Sequence, residues 1–198
     1  MSIKINYLKK TTYSSKSNLV LFTNEKVDTN NLKKFISDVE FSYINDLLKT
    51  EDTKKNIFVY VLNSKRKIVL ISIKNKLKTS AIENLGAEFF SKVNHGKKNE
   101  YFINSDSIES KQKNFLGYFL HGLKLKSYEF NKYKTKKKIV DINVNIISKS
   151  KPQIKNKNNR YISILEGTNF TKDLVSEPGN ILHPDEYAKR ITQLWKTG

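Results

Sequence analysis

The chain has no cysteine in its 198 residues. That excludes disulfides and thiolate metal sites and points to a reducing compartment. It also lacks a glycine-rich phosphate loop, a nucleophile elbow and a cysteine nucleophile. No apolar stretch is long enough to span a bilayer: the longest is "IFVYVL", Ile57 to Leu62. The first residues, "MSIKINYLKK", alternate apolar and polar side chains where a signal peptide would carry an uninterrupted apolar core. Together these absences predict a soluble, cytoplasmic protein with no membrane partner. Alanine, glycine and arginine are scarce while lysine, asparagine and isoleucine abound, the usage expected of coding sequence rich in A and T. The length fits one domain and a piece of another, enough to bury a real core.

Acidic residues are the other shortage. The formal net charge is +18, and a surplus of that size suggests acidic partners such as nucleic acid. An A- and T-rich coding bias inflates lysine, so the distribution says more than the total. Between Lys124 and Arg160 there are twelve basic residues and two acidic ones, Glu129 and Asp141, giving +10 of the +18. At the centre of this stretch, "YEFNKYKTKKK" interleaves Tyr128, Phe130 and Tyr133 with Lys132, Lys134, Lys136, Lys137 and Lys138. Such a segment can stack bases and neutralise phosphates. It can equally be a solvated strand edge, with lysines that discourage edge-to-edge pairing and aromatics turned into a core.

Apolar periodicity predicts alternating strands and helices. "IKINYL" (Ile3 to Leu8) and "NLVLFT" (Asn18 to Thr23) read as strands, followed by a helical stretch through Leu32, Phe35, Ile36 and Val39. "NIFVYVLN" and "KIVLISIK" are continuous β-branched and aromatic runs, suited to central strands covered on both faces. With only Ser64 to Arg66 between them they can pair as a hairpin. Ile82, Leu85, Phe89, Phe90 and Val93 recur at helical spacing, closed by His95 and a capping Gly96. "EYFIN" is a strand; Ile108, Phe115, Leu116, Phe119, Leu120 and Leu123 form a helical stripe with Gly117 and Gly122 permitting close approach; "KKIVDINVNIIS" alternates as a strand. This pattern predicts a layered α/β fold, a mixed β-sheet flanked by helices.

The domain layout expected is an α/β domain over residues 1–147, a linker over 148–159 and a further segment over 160–198. The linker "SKSKPQIKNKNN" has no apolar periodicity. Beyond it Tyr161, Ile162, Leu165, Phe170 and Leu174 restart a helix. Pro178 removes a backbone donor and moves Glu177 out of helical geometry, so that helix ends near Ser176. Gly179 and Asn180 tolerate the turn that follows. Pro184 suits a first helical position, with Asp185 and Glu186 in the first turn, and begins a second helix.

At these residues the sequence resembles the leucyl aminopeptidases, or cytosol aminopeptidases, a family of dinuclear metallopeptidases. Where their catalytic domain begins, they carry a segment close to "RDLVNEPANVLTPEYLA"; here "KDLVSEPGNILHPDEYA" runs from Lys172 to Ala188. Upstream, "LHGLKLKSYEFNKYKTKKK" (Leu120 to Lys138) is similar to the family's "EGALLGSYRFDKYKSKKK". The matched positions Asp173, Leu174, Pro178, Asn180 and Pro184 are the motif's structural residues. Lys172, Ser176, Gly179 and His183 depart from the family's usual arginine, asparagine, alanine and threonine, and the last of these loses a threonine–glutamate capping box. Residues 1 to about 110 share only the expected layout, without a quotable motif.

The resemblance implies a macrodomain-like N-terminal domain, a catalytic domain carrying two divalent metal ions (manganese or zinc), a homohexamer and peptide substrates. The family's metal-binding motifs resemble "VGKGITFDSGG" and "NTDAEGR", and nothing like either occurs before Gly198. The expectation is therefore a non-catalytic N-terminal region plus the first helices of a truncated catalytic domain, with no catalytic or metal-binding residue and no cofactor of its own. Its main partner would be its own catalytic domain. His95, His121 and His183 are too far apart in sequence for a close ligand set. Asp173 and Glu177, four apart on one helix face, read as helix-end dipole and hydrogen-bonding groups. Two alternatives stay open: a nucleic-acid-binding module using residues 124–160, and a natural short assembly or regulatory subunit.

Overall fold

The computed structural model describes residues 2–9, 17–52, 55–93, 100–109, 112–135, 141–149 and 158–197. Strands form where β-branched and aromatic residues run continuously: β1 (Ser2–Leu8), β2 (Asn18–Asn24), β3 (Ile57–Asn63), β4 (Arg66–Ile73), β5 (Glu100–Asn104) and β6 (Asp141–Ile147). They make one mixed sheet in the order β1-β6-β5-β2-β4-β3. All neighbours are parallel except β3 and β4, which pair antiparallel as the expected hairpin. The α/β class predicted from the alternating pattern is the one observed.

Each face of the sheet buries a separate apolar cluster. On one side α2 (Thr79–Val93) and α3 (Phe115–Lys126) cover Val20, Phe22, Val69, Ile71, Ile103 and Val144. Phe22 meets Phe115 and Phe119 edge-on, with ring centroids 5.6 and 5.5 Å apart, the geometry aromatic quadrupoles favour. On the other side a 3-10 turn (Asn30–Lys34) and α1 (Asp38–Leu48) cover Leu19, Leu21, Phe58, Tyr60, Ile68 and Leu70. The two covering helices α2 and α3 touch backbone to backbone. A methyl on Gly86 would lie 1.9 Å from the Phe119 carbonyl oxygen, and one on Gly122 would lie 1.9 Å from that of Glu83. Only glycine fits at either position.

Several expectations need correction. The stretch through Leu32 and Val39 is not one helix: it breaks at Ser37, whose side chain caps Glu40 N while the Glu40 carboxylate accepts from Ser37 N, a full capping box. Val39 consequently faces solvent. Glu40 also holds the buried guanidinium of Arg66, Nε to Oε1 at 2.6 Å, tying the start of α1 to the start of β4. Ile108 follows a short 3-10 turn (Ser105–Ser107) and is not in α3, which begins after Asn114 in a left-handed conformation, φ 62°. The run "IFVYVL" does not lie in a central strand; β3 is the sheet edge, and Val59 and Val61 are exposed. His95, Gly96, Ile139 and Val140, and most of the expected linker, lie outside the described residues.

The last helices follow the proline punctuation. α4 (Asn158–Ser176) ends before Pro178, whose carbonyl accepts from Ile181 N and Leu182 N in the turn, and α5 (Pro184–Thr197) begins at Pro184. α4 lies along α3. Near its start the Tyr161 ring packs on Gly117, where even a methyl would be 3.2 Å away, and meets Tyr118 edge-on at 5.2 Å. Near its end Leu174 is buried, the one α4 side chain among the described residues to reach that state.

Candidate functional site

Among the described residues, one cavity and one polar cluster stand as candidate sites. The first lies beyond the carboxyl ends of β2, β5 and β6. After β2 the chain runs to β3 and β4 on one side of it, and after β5, the neighbour on the other side, it runs to β6 in the opposite direction, a topological switch point of the kind that holds ligands in open α/β sheets. A cavity of about 280 Å³ sits there, lined by Phe22, Asn31, Asn104, Asp106, Ser107 and Ser148 among others. Its polar groups serve one another. Asp106 accepts from Ser148 Oγ at 2.7 Å and from Lys149 N at 2.9 Å. Ser107 Oγ donates to the Asn104 carbonyl and accepts from Phe22 N. Asn31 donates to Glu109. These bonds fasten the loops after β2, β5 and β6 together, which is a structural task.

The second place is the elbow between α4 and α5. After α3 the chain does not form a strand edge; residues 128–135 are a loop lying against the end of α4. Over residues 128–135 the edge reading is therefore corrected, and Tyr128 and Tyr133 serve a different purpose. Tyr128 donates to Asp173 Oδ1 at 2.7 Å. Lys132 and Tyr133 both donate to Glu177, one to each carboxylate oxygen. From α5, Arg190 adds a bond to Glu177 Oε1 at 2.9 Å and another to Glu186 Oε1 at 3.1 Å. Lys172 lies over the Tyr128 ring, 5.1 Å from its centroid, and donates to the Leu125 carbonyl at the end of α3.

Glu177 is the node of this cluster. Its side chain is only 2% exposed, covered by its three partners at the protein surface, not by the apolar interior. Hydrogen bonds from Lys132 and then Tyr133, with a smaller one from Arg190, lower its carboxyl from the usual 4.5 to about 2. The same contacts raise Lys132 and Tyr133. Tyr128 is pushed up to about 12, by burial first and by its bond to Asp173 second. Asp173 and Glu177 stand at the C-terminal end of α4, where the helix dipole disfavours carboxylates. The dipole half of the sequence expectation is thus reversed: donors from the loop and from α5 hold these groups, and the helix end does not.

Of the residues singled out in the sequence, the elbow brings together Lys132 and Asp173 with Leu174 beneath them, while Pro178 and Pro184 set its two bends. Asn180 is exposed in the turn and Lys134 is exposed on the loop. Lys136, Lys137 and Lys138 lie outside the described residues. Sequence reasoning passed over Glu177, Tyr128, Tyr133 and Arg190 as a set. Their partners lie 13 to 45 residues apart, so no local spacing joins them.

The donor set does not fit a metal pair. No cluster of three or more histidine, cysteine or acidic side chains is present among the described residues. Asp173 and Glu177 are engaged by an ammonium, a guanidinium and two phenols, groups that compete with a cation. His121 is buried on α3 beside Glu83, Nδ1 to Oε1 at 2.9 Å, far in sequence from His183 in the elbow turn.

No family model matches the chain. A probable cytosol aminopeptidase of Rhodopseudomonas palustris is 37% identical over 81 residues, which is 39% of this chain and 16% of that protein. One from Phytoplasma australiense is 33% identical over 115 residues, 57% of this chain and 23% of that protein. Among solved structures, a variant of tomato leucine aminopeptidase superposes with a TM-score of 0.73 at 16% identity, over 99% of this chain and 42% of that one. A cytosol aminopeptidase from Coxiella burnetii gives 0.63 at 14% identity, over 96% and 37%. At such identities the structures show the shared fold alone. This chain is homologous over about two fifths of its length to cytosol aminopeptidases, and it spans about two fifths of the solved enzymes. No helix among the described residues is long and apolar enough to cross a membrane.

Proposed function

We propose that these 198 residues are the non-catalytic N-terminal region of a metal-dependent leucyl aminopeptidase, and that the elbow is its joint to the catalytic domain. One observation carries this reading. The two segments that resemble the family, "YEFNKYK" and "KDLVSEPGNILHPDEYA", meet in space through Tyr128–Asp173 and through Lys132 and Tyr133 on Glu177. A resemblance spread over two distant segments acquires a physical reason: each supplies half of one fastening. The fastening sets the direction in which the chain leaves the sheet domain after α5.

In this reading the pair of divalent metal ions, manganese or zinc, and the peptide substrate belong to residues of the catalytic domain. The metals there would generate hydroxide and stabilise the tetrahedral intermediate. The residues described here contribute position: they hold α4 and α5 at a fixed angle so that a domain built onto α5 is presented consistently. The parent protein would act in the cytoplasm as a homohexamer releasing N-terminal amino acids, leucine among them. The nucleic-acid alternative would have to draw Lys132 away from Glu177.

The test is leucine-amide hydrolysis by the 198-residue chain with manganese or zinc added. The expected outcome is no turnover above the metal-only rate. Turnover that survives repurification and scales with the amount of this chain would overturn the proposal.

A further inference from the structure

Strand β3 carries the longest apolar run in the chain although it lies at the open edge of the sheet. Burial explains half of it. Phe58 and Tyr60 are in the core under α1, and Ile57 joins the opposite cluster, whereas Val59 and Val61, on the same face as Ile57, are 36% and 54% exposed.

The pairing with β4 fixes which backbone groups are left over. Asn56 O accepts from Ser72 N at 2.8 Å, and the register continues as Ile57 with Ile71, Phe58 with Leu70 and Val59 with Val69. Bonded and non-bonded pairs alternate along an antiparallel ladder. Phe58 and Tyr60 therefore bond to β4, while the N–H and C=O groups of Ile57, Val59 and Val61 point away from the sheet. Natural edges are usually blunted by lysine, proline, an inward charge or a bulge. Ile57 to Leu62 contains no charge and no proline, and its register irregularity falls at the last residue, Leu62, between Val61 and Asn63, past the three outward-facing positions.

We infer that β3 is an assembly edge whose occupant is the β3 strand of a second copy of this chain, antiparallel about a twofold axis at Val59. A twofold axis pairs a strand with itself in just this sense. Centring it on Val59 sets Val59 against Val59 of the second copy, and Ile57 against Val61. Every outward N–H and C=O of the three residues then finds a partner, and the half-exposed valines cover one another. Moving the centre to Phe58 would set charged Lys55 opposite Val61. Moving it to Tyr60 would set Ile57 opposite Asn63, past the irregularity. Only the Val59 centre keeps all pairs within the apolar run. The inference is independent of the proposed aminopeptidase role.

Because the chain has no cysteine, single substitutions report the register directly. Opposed residues in a bonded pair have Cα atoms about 5.5 Å apart, within disulfide reach. Val59→Cys should therefore cross-link to itself under mild oxidation. Val61→Cys should not, since its two copies would stand four residues, roughly 13 Å, out of step. In sedimentation the unmodified chain should run as a dimer at micromolar concentration and Val59→Lys as a monomer, association falling at least tenfold while circular dichroism is unchanged. A monomeric unmodified chain, or equal cross-linking through positions 59 and 61, would overturn the inference. Should Val59→Lys fail to fold, the two cysteine variants decide the matter alone.

Discussion

Between residues 17 and 147 more than two dozen apolar side chains are buried, on both faces of a continuous sheet; between 158 and 194 the described residues bury one, Leu174. Along α4, the elbow and α5, Ile162, Ile164, Val175, Ile181, Tyr187, Ile191 and Leu194 stay exposed, and polar bonds from the loop after α3 and from Arg190 fasten the elbow. The two regions are stabilised by different physics. Burying a large apolar side chain contributes roughly 1.5 to 3 kcal/mol and is indifferent to ionic strength. Surface ion pairs contribute about 0 to 1 kcal/mol each and are screened by salt. The sheet should open only on global unfolding and the elbow by local opening, at a much lower free energy.

The largest expected effect is on the sheet side. Gly86→Ala or Gly122→Ala places a methyl on a backbone carbonyl of the facing helix, which cannot swing aside as a side-chain tip would. Each should cost about 3 kcal/mol, the upper end for overpacking, seen as a lower urea midpoint with an unchanged slope. An unaltered midpoint would mean that α2 and α3 are not in backbone contact.

The comparison is sharpened by Leu174→Ala. Removing the buried anchor of α4 should cost about 2 kcal/mol, but the loss should appear as faster hydrogen exchange and proteolysis in α4 and α5, with β2 and β4 as protected as before. Equal acceleration in β4 would show that the elbow and the sheet are one cooperative unit and would end the distinction.

How much of this was legible depends on how local each cause is. The ends of α4 and the start of α5 were readable because Pro178 and Pro184 act on their own neighbours. The break at Ser37 also has a local signal, a serine followed three residues later by glutamate, against which the apolar spacing through Val39 points to a continuous helix. The place of β3 was not readable. A run of apolar residues reports average burial, whereas position in the sheet depends on where β2, β5 and β6 come to lie, up to 90 residues away. The elbow is the same case. Both of its segments could be singled out, but that Tyr128 meets Asp173 is a statement about the path of α4 back along α3, which no spacing within either segment encodes.

The smallest effect expected is the one that identifies the elbow's physics most directly. Glu177 is held at about 2 against an ordinary 4.5, so its contribution is fully present above pH 4.5 and is lost as pH falls from there toward 2. Lys132 and Tyr133 are raised, so their own deprotonation would release these contacts only in alkali, and neither adds a step between pH 5 and 8. Amide exchange in the first turns of α5, corrected for intrinsic rate, should thus be flat near neutrality and accelerate a few-fold below pH 4.5. Added salt should produce a similar acceleration at pH 7 by screening the Lys132 and Arg190 contacts. Glu177→Gln keeps the shape and removes the charge, so exchange in α5 should become faster at pH 7 and keep only the smaller acid and salt dependence that Glu186 supplies through Arg190. If the unmodified chain shows neither an acid nor a salt effect there, the donors around Glu177 do not fasten the elbow, and Leu174 and Tyr161 alone hold α4 to α3.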